Sequence, residues 1–316
     1  MNGNNYLDNV KPFYWNTCDH TDIDESSSEK RLPVCLCLDL SGSMWNRRHG
    51  TASIERLKKG IRRFITDIKN NEQGRSAEIA VVGFVDKGVI LQDFMLADSF
   101  TNEKIQKLID SLLPNYDHLS SKALRPGDLE AGIQQSLYVL DARKAMYQNY
   151  GVPYCQPMLV VMTDGIPTRR ESGKLTSLDS IRLSNMIAEI ARRRNSRKLT
   201  VIAVYCERGS EEDSNAIAFL KKLINDNDEV YKINDRAAES FDKFFVFLSM
   251  SVSAASQGKA IDFDKFNAKI DDVGFKSEKE MRDFFYSDSD ASSSVEPAHN
   301  ELSEEDLELL KKMFGG

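Results

Sequence analysis

A run of apolar residues followed by a loop of small polar residues occupies positions 31–45, with the sequence RLPVCLCLDLSGSMW. The run is apolar at almost every position, which is typical of a strand buried on both faces of a parallel sheet. Pro33 stands at its start, where a strand tolerates a residue that lacks an N–H donor. We therefore expect a buried strand that ends near Asp39 and opens into the loop that follows it.

The chain alternates between apolar runs and helical patterns up to about residue 255. Short continuous apolar runs indicate strands, and apolar residues spaced by threes and fours indicate helices. This alternation predicts an α/β fold, a doubly wound and mostly parallel sheet with helices on both faces. The predicted strands are 31–40, 77–85, 89–95, 158–164, 199–206 and 229–233, and the predicted helices lie near 54–68, 102–112, 128–148, 178–194, 216–223 and 241–252.

The composition is that of a globular protein, with 41% hydrophobic and 29% charged residues among 316. No apolar run approaches the roughly 20 residues that span a bilayer, and the N-terminal sequence lacks the order of a secretory signal. A cytoplasmic location without membrane contact is therefore expected. The net charge of −7 comes from residues 260–316, which hold 15 acidic and 7 basic residues and leave 34 acids and 35 bases elsewhere. Neither part has the charge of a nucleic-acid-binding surface.

The five cysteines are scattered, but Cys35 and Cys37 would share one face of the first strand. One interpretation is a redox or zinc pair, and the other is a pair of small core residues in a reducing compartment. No second pair of cysteines or histidines has the spacing of a zinc site. The core interpretation is therefore favoured.

Two strand-end motifs carry the chemistry of this sequence. Asp39, Ser41 and Ser43 follow the first predicted strand, and Gly42 between the serines permits a tight turn. Asp164 follows the strand at 158–164 in the same way. The carboxyl ends of parallel strands open onto the ligand crevice, so the two motifs would face one crevice if their strands are neighbours. Two carboxylates and two hydroxyls suit a hard cation such as Mg²⁺ or Mn²⁺. The alternative is that Asp39 only caps the end of its strand and that Asp164 is only a turn residue.

These motifs resemble a known family. The stretches RLPVCLCLDLSGSMW and LVVMTDGIPT are similar to the first and third metal-site loops of von Willebrand factor A domains. The resemblance covers about residues 31–258 and implies the doubly wound fold and a metal-ion-dependent adhesion site. In that site the first motif would supply Asp39, Ser41 and Ser43, and the third would supply Asp164.

A narrower resemblance is to bacterial TerY-like proteins of tellurium-resistance and stress-response clusters. It rests on RLPV before the first strand, on MTDGIPT, and on FFVFLSMSVSAASQG at 244–258. This resemblance implies partners encoded nearby, among which a kinase and a PP2C-type phosphatase are usual in that setting.

The second family motif departs from the usual pattern. The family has a threonine two residues before the leucine that opens a helix, but here the stretch RPGDLEAGI at 125–133 places Gly127 at that position. The adjacent Asp128 could supply the missing oxygen, as could Ser120 or Ser121. Asp128 could equally be the N-cap of the helix, as aspartate often is. The departure leaves the strength of metal binding open and does not affect the predicted fold.

The adhesion-site mechanism implied by the resemblance leaves one metal position open for an aspartate or glutamate carboxylate of a partner protein. This chemistry needs no general base, and the sequence offers none near the motifs, so a binding module and not an enzyme is expected. The alternative is a Mg²⁺-dependent phosphotransferase or phosphatase with Asp39 as the nucleophile. Such enzymes usually place a second acid where Ser41 stands, and a phosphate-binding GxxxxGK[ST] loop is absent.

Both ends of the chain are expected to be extensions of the main unit. Residues 1–30 are polar and irregular and predict a flexible segment, and 259–286 predict a short helical extension. Residues 287–301 have the low complexity of a linker. Residues 302–316 predict a short acidic helix whose apolar stripe would either dock onto a partner or fold back onto its own domain. That stripe consists of Leu307, Leu310 and Phe314.

Overall fold

The computed structural model describes residues 29–45, 52–85, 87–112, 127–165, 168–171, 174–177, 181–207, 213–224, 228–234 and 238–257. The strands are β1 (Leu32–Asp39), β2 (Ala77–Phe84), β3 (Gly88–Leu96), β4 (Met158–Thr163), β5 (Thr168–Glu171), β6 (Lys174–Ser177), β7 (Thr200–Glu207) and β8 (Tyr231–Asn234). The helices are α1 (Gly42–Trp45), α2 (Ser53–Asn70), α3 (Asn102–Ser111), α4 (Leu129–Tyr150), α5 (Ile181–Asn195), α6 (Asp213–Lys221) and α7 (Ala238–Ser256).

Six strands form one sheet in the order β3-β2-β1-β4-β7-β8. The neighbours are parallel except for β2 and β3, which pair antiparallel as a hairpin. The mostly parallel sheet predicted from the alternating pattern is confirmed. A separate two-stranded antiparallel sheet of β5 and β6, joined between Thr168 and Ser177, was not predicted, because its sequence TRRESGKLTS has no apolar run.

Helices cover both faces of the sheet, and each face has its own hydrophobic core. On β1, Leu32, Val34, Leu36 and Leu38 join one core, and Cys35 and Cys37 join the other. The first core also contains residues of α2, α3 and α7, and the second contains residues of α4, α5 and α6. Because successive residues of a strand point to opposite faces, a strand that faces two cores must be apolar throughout, as β1 is.

The cysteines of β1 behave as core residues. Cys35 and Cys37 are fully buried and unpaired with any other cysteine. Burial raises the pKa of the Cys35 thiol to about 12 and raises the pKa of Cys37 further. Both side chains lie within a hydrophobic core, where cysteine packs as a small apolar residue, in agreement with the core interpretation.

An ion pair is buried at the amino end of the sheet. Glu78 near the start of β2 is 1% exposed, and its Oε2 accepts hydrogen bonds of 2.5 Å from Arg143 Nε and from the Tyr147 hydroxyl. Arg31 Nε lies 4.0 Å from the other oxygen. Arg143 and Tyr147 are four residues apart and therefore lie on the same face of α4. This network fastens α4 to the edge of the sheet opposite the carboxyl ends of the strands.

The described elements of the main unit lie between Leu32 and Ser256. The predicted segment 1–30 lies outside the described residues except for its last two positions. The predicted segments 259–286, 287–301 and 302–316 also lie outside the described residues, and so does the apolar stripe of Leu307, Leu310 and Phe314. Among the helices that are described, none has both the length and the apolarity to cross a membrane.

Candidate metal centre

The two strand-end motifs lie side by side in the structure. β1 and β4 are adjacent and parallel, with Leu38 opposite Met162, so that Asp39 and Asp164 follow at the same edge of the sheet. Asp39 is 2% exposed and Asp164 is 3% exposed. The chain proceeds from β1 to β2 on one side and reaches β4 on the other. This is the switch point of the doubly wound sheet, where such folds bind ligands.

Hydrogen bonds connect the four predicted ligands. The Ser41 amide donates to Asp39 Oδ1 at 2.8 Å, and the Ser43 hydroxyl donates to Asp164 Oδ1 at 2.6 Å. The hydroxyls of Ser41 and Ser43 are 3.1 Å apart. The structure therefore brings Asp39, Ser41, Ser43 and Asp164 together into one cluster of oxygen atoms.

Thr163 belongs to this cluster and was not among the predicted site residues. Its hydroxyl donates to Asp39 Oδ2 at 2.5 Å and accepts from the Gly165 amide at 3.2 Å. Both oxygens of Asp39 therefore accept a hydrogen bond from the protein. Thr163 is the last residue of β4, so its place next to Asp39 follows from the β1–β4 pairing, which the sequence alone does not supply.

Tyr205 supports the Asp164 side of the cluster from the next strand. It lies opposite Thr163 in the β4–β7 register and is 1% exposed. Its hydroxyl lies 2.8 Å from Asp213 Oδ1, at the first residue of α6, and 3.4 Å from the Asp164 carbonyl oxygen. The sequence signal was its position at the end of an apolar strand, which does not distinguish it from an ordinary core tyrosine.

Two buried carboxylates so close together repel each other. Burial, and secondly the charge of Asp164, raise the pKa of Asp39 from 3.8 to about 6, although the hydrogen bonds from Ser41 and Thr163 oppose the rise. A bound divalent cation would neutralise both charges. Within the described ranges, no three side chains of His, Cys, Asp or Glu come together as metal ligands. A site built from these residues therefore uses two carboxylates and two hydroxyls, the hard oxygen donors that Mg²⁺ and Mn²⁺ prefer.

The loop before α4 approaches the cluster through Gly127. A Cβ atom built on Gly127 would lie 3.2 Å from Asp39 Oδ1 and 3.3 Å from Oδ2. The Asp128 amide donates a hydrogen bond to the carbonyl oxygen of Val85, directly after β2, and thereby fixes the loop to the same edge of the sheet. Position 127, where the family pattern has threonine, thus faces the Asp39 carboxylate.

Asp128 is the N-cap of α4. It is 6% exposed, and its Oδ1 accepts a 3.1 Å hydrogen bond from the Ala131 amide. A capping role therefore accounts for its position and burial. Its role as a metal ligand stays a prediction.

Replacing Asp128 with alanine separates these roles. Loss of the cap is expected to lower the free energy of unfolding by about 1 kcal/mol, because the Ala131 amide loses its acceptor. If capping is the only role, the affinity for Mn²⁺ is unchanged in a calorimetric titration. Thr101→Ala is the matched control, since Thr101 caps α3 through the Lys104 amide far from the cluster. A strong loss of Mn²⁺ affinity in Asp128→Ala alone would identify Asp128 as a ligand.

Solved structures share this fold. No family model and no curated protein matches the sequence. The pilus adhesin SpaC from Lactobacillus rhamnosus GG matches with a TM-score of 0.52 at 16% identity, over 72% of this chain and 31% of the SpaC chain. The likeness therefore concerns the fold alone, and this chain corresponds to about a third of SpaC.

Two further matches are von Willebrand factor A domains of other proteins. The vWF domain of the pilus tip protein Mfa5 from Porphyromonas gingivalis matches with a TM-score of 0.46 at 13% identity, over 72% of this chain and 97% of that one. The von Willebrand factor type A structure from Catenulispora acidiphila has a TM-score of 0.47 at 14% identity, over 72% and 43% of the two chains. The sheet order and the helices on both faces are those of the predicted fold class. The fold is a doubly wound α/β fold with a mostly parallel sheet. The narrower resemblance to TerY-like proteins receives no support from these matches.

Proposed function

We propose that this chain is a metal-dependent protein-binding module. Asp39, Ser41, Ser43 and Asp164 would hold Mg²⁺ or Mn²⁺, and a carboxylate of an aspartate or glutamate on a partner protein would complete the coordination. The observation that carries the proposal is the hydrogen-bonded cluster that joins the ends of β1 and β4, with Ser43 bridging to Asp164 at 2.6 Å.

The charges of the cluster agree with this role. Asp39 and Asp164 bring up to two negative charges into a site where neither residue is more than 3% exposed. Buried charges are retained only when they are paired or bind a metal. A divalent cation at this position would satisfy both carboxylates and release the Ser43 hydroxyl from Asp164 for the metal. Mg²⁺ keeps several water ligands, and a partner carboxylate would displace one of them.

A binding role agrees better with the cluster than an enzymatic one. Both oxygens of Asp39 accept hydrogen bonds, from Ser41 and from Thr163. A nucleophilic aspartate must reach the substrate itself, whereas a metal ligand must reach only the ion, and Asp39 is 2% exposed. SpaC is described as a pilus adhesin, which is also a binding role.

The cellular setting is part of the proposal. The TerY-like resemblance favours a cytoplasmic stress-response or tellurite-resistance system, with a kinase and a PP2C-type phosphatase encoded nearby as candidate partners. The acidic helix at 302–316, with Leu307, Leu310 and Phe314, stays a prediction for a second contact with such a partner.

Partner binding tests the proposal. The chain is immobilised, and a purified candidate kinase and a purified candidate PP2C-type phosphatase are passed over it in Mg²⁺ or in EDTA. We expect at least one to bind in Mg²⁺ with about tenfold or greater loss in EDTA, because the metal bridges the two proteins. Asp39→Ala is expected to bind neither, whereas Asp110→Asn, an exposed acid on α3, serves as the matched control.

Two outcomes would contradict the proposal. Partner binding that is equally strong in EDTA and in Asp39→Ala would remove the metal from the interaction. Mg²⁺-dependent hydrolysis of phosphoesters or nucleotides by the wild-type chain, lost in Asp39→Ala, would favour the phosphotransferase alternative.

A further inference from the structure

The indole of Trp45 is hydrogen-bonded to the loop that carries the first metal motif. Trp45 ends the short helix α1, two residues after Ser43, and it is 4% exposed within the core on the α2 and α7 face of the sheet. Its Nε1 donates a 3.0 Å hydrogen bond to the carbonyl oxygen of Leu40. The large ring is thus fixed by the core, and its single N–H points back at the loop.

The Leu40 carbonyl belongs to the peptide group that holds Asp39. The C=O of Leu40 and the N–H of Ser41 are in one planar peptide unit, and that N–H donates to Asp39 Oδ1 at 2.8 Å. A continuous chain of hydrogen bonds therefore runs from the Trp45 indole through one peptide plane to the Asp39 carboxylate. Rotation of this peptide would break both hydrogen bonds at once.

Hydrogen bonds also fix the peptide units on either side of the 40–41 peptide. The Leu40 amide, which is in the preceding peptide unit, donates to the Phe84 carbonyl of β2 at 2.9 Å. The Met44 amide donates to the Ser41 carbonyl at 3.0 Å, which fixes the following peptide. The Trp45 indole in turn holds the carbonyl end of the 40–41 peptide. A hydrogen bond accepted by a carbonyl also polarises its peptide and strengthens the N–H at the other end.

We propose that Trp45 is a positioning residue for the metal centre, which sets the orientation of Asp39 through the 40–41 peptide group. The inference rests on the proposed metal-binding function. Partners that orient a ligand without touching the metal typically contribute 10- to 100-fold to metal affinity. Trp45 would do so through the main chain instead of through a side chain.

Two replacements remove the indole donor while keeping a buried ring. Trp45→Phe deletes the N–H and some volume, and substitution of Trp45 by the sulfur isostere 3-benzothienylalanine deletes the N–H and keeps the shape. Both are expected to lower the affinity for Mn²⁺ about tenfold, as measured by calorimetry. The matched control is Phe64→Leu, which reduces a buried ring in the same core, packed on Phe245 at 6.2 Å between centroids, and should leave Mn²⁺ affinity unchanged.

The amide proton of Ser41 gives a second measurement that needs no metal. In the metal-free wild-type protein this proton is expected to exchange slowly with solvent, and in both Trp45 variants it is expected to exchange at least tenfold faster, while the β1 amides stay protected. A wild type that fails to bind Mn²⁺ would refute the proposed function, and the Ser41 exchange rate would then decide the inference by itself. Unchanged Ser41 exchange, or Mn²⁺ affinity that survives the sulfur isostere, would overturn it.

Discussion

Replacing Asp39 with asparagine is expected to make the metal-free protein more stable at neutral pH by roughly 2 to 3 kcal/mol. Burial and the charge of Asp164 raise the pKa of Asp39 to about 6 in the folded protein, against 3.8 for the ordinary group. The ionised carboxylate is therefore unfavourable in the folded state, and asparagine removes that charge. Its oxygen can still accept from Ser41, and its amide can donate to Thr163, whose hydroxyl can turn to the Gly165 carbonyl 3.3 Å away.

The gain from Asp39→Asn should depend on pH in a defined direction. A carboxyl with a raised folded pKa binds its proton more tightly in the folded state, so the wild type loses stability as the pH rises from about 4 to about 6. The variant therefore gains nothing near pH 4 and gains the full amount above pH 6. Urea unfolding in EDTA at pH 4, 5, 6 and 7.5 measures this, with Asp110→Asn as the exposed control.

Metal should reverse this order of stability. Mg²⁺ at about a thousand times its dissociation constant would stabilise the wild type by about 4.1 kcal/mol, which exceeds the gain of Asp39→Asn, and would leave that variant unchanged. A residue that lowers the stability of the empty protein and binds a ligand is typical of a functional site. An Asp39→Asn variant that is less stable than the wild type at pH 7.5 in EDTA would show that the carboxylate is a structural cap.

Replacing Arg143 with alanine is expected to lower the free energy of unfolding by about 3 to 5 kcal/mol. The change leaves Glu78 without its buried guanidinium partner at a position that is 1% exposed. It also removes the cation–π contacts of Arg143 with Phe94 and Tyr147, at 5.8 and 5.3 Å from the ring centroids. Urea unfolding of the metal-free protein measures the loss.

Two comparisons check the cause of that loss. The double variant Glu78→Gln/Arg143→Met is expected to be less destabilised than the sum of its single changes, because the two charges of the Glu78–Arg143 pair are then removed together. The affinity for metal should be the same in these single and double variants as in the wild type. Glu78 lies next to the Pro33 position of β1, six residues or about 20 Å along the strand from Asp39. A loss below about 1 kcal/mol for Arg143→Ala would mean that the network contributes little.

The fold was predictable because its strands are buried on both faces. The run from Leu32 to Asp39 faces two cores, so its apolar residues do not alternate with polar ones. It is therefore easy to distinguish from the helical patterns around it. The edge strand β3 corresponds to the strand predicted at 89–95, which directly follows the one predicted at 77–85. The hairpin of β5 and β6 escaped prediction because four-residue polar strands leave no hydrophobic pattern.

The site was predictable only in part. Asp39 and Asp164 were expected to share a crevice on the condition that their strands are neighbours, and the β1–β4 pairing meets that condition. Thr163 and Trp45 could not be identified from the sequence. The contact of Thr163 depends on the strand register, and the contact of Trp45 depends on a side chain that turns back to its own loop. The alternatives for Asp128 were both visible in the sequence, and its hydrogen bond to Ala131 supports the cap.

A calorimetric titration of Mn²⁺ into the metal-free chain tests the central claim most directly. The wild type is expected to bind one Mn²⁺, competed by Mg²⁺, and Asp39→Ala and Asp164→Ala are each expected to show no binding, because either change removes one of two carboxylates from the cluster. Asp110→Asn is expected to titrate like the wild type. Mn²⁺ binding that is equally tight in the wild type and in both alanine variants would contradict the assignment of the metal to the ends of β1 and β4.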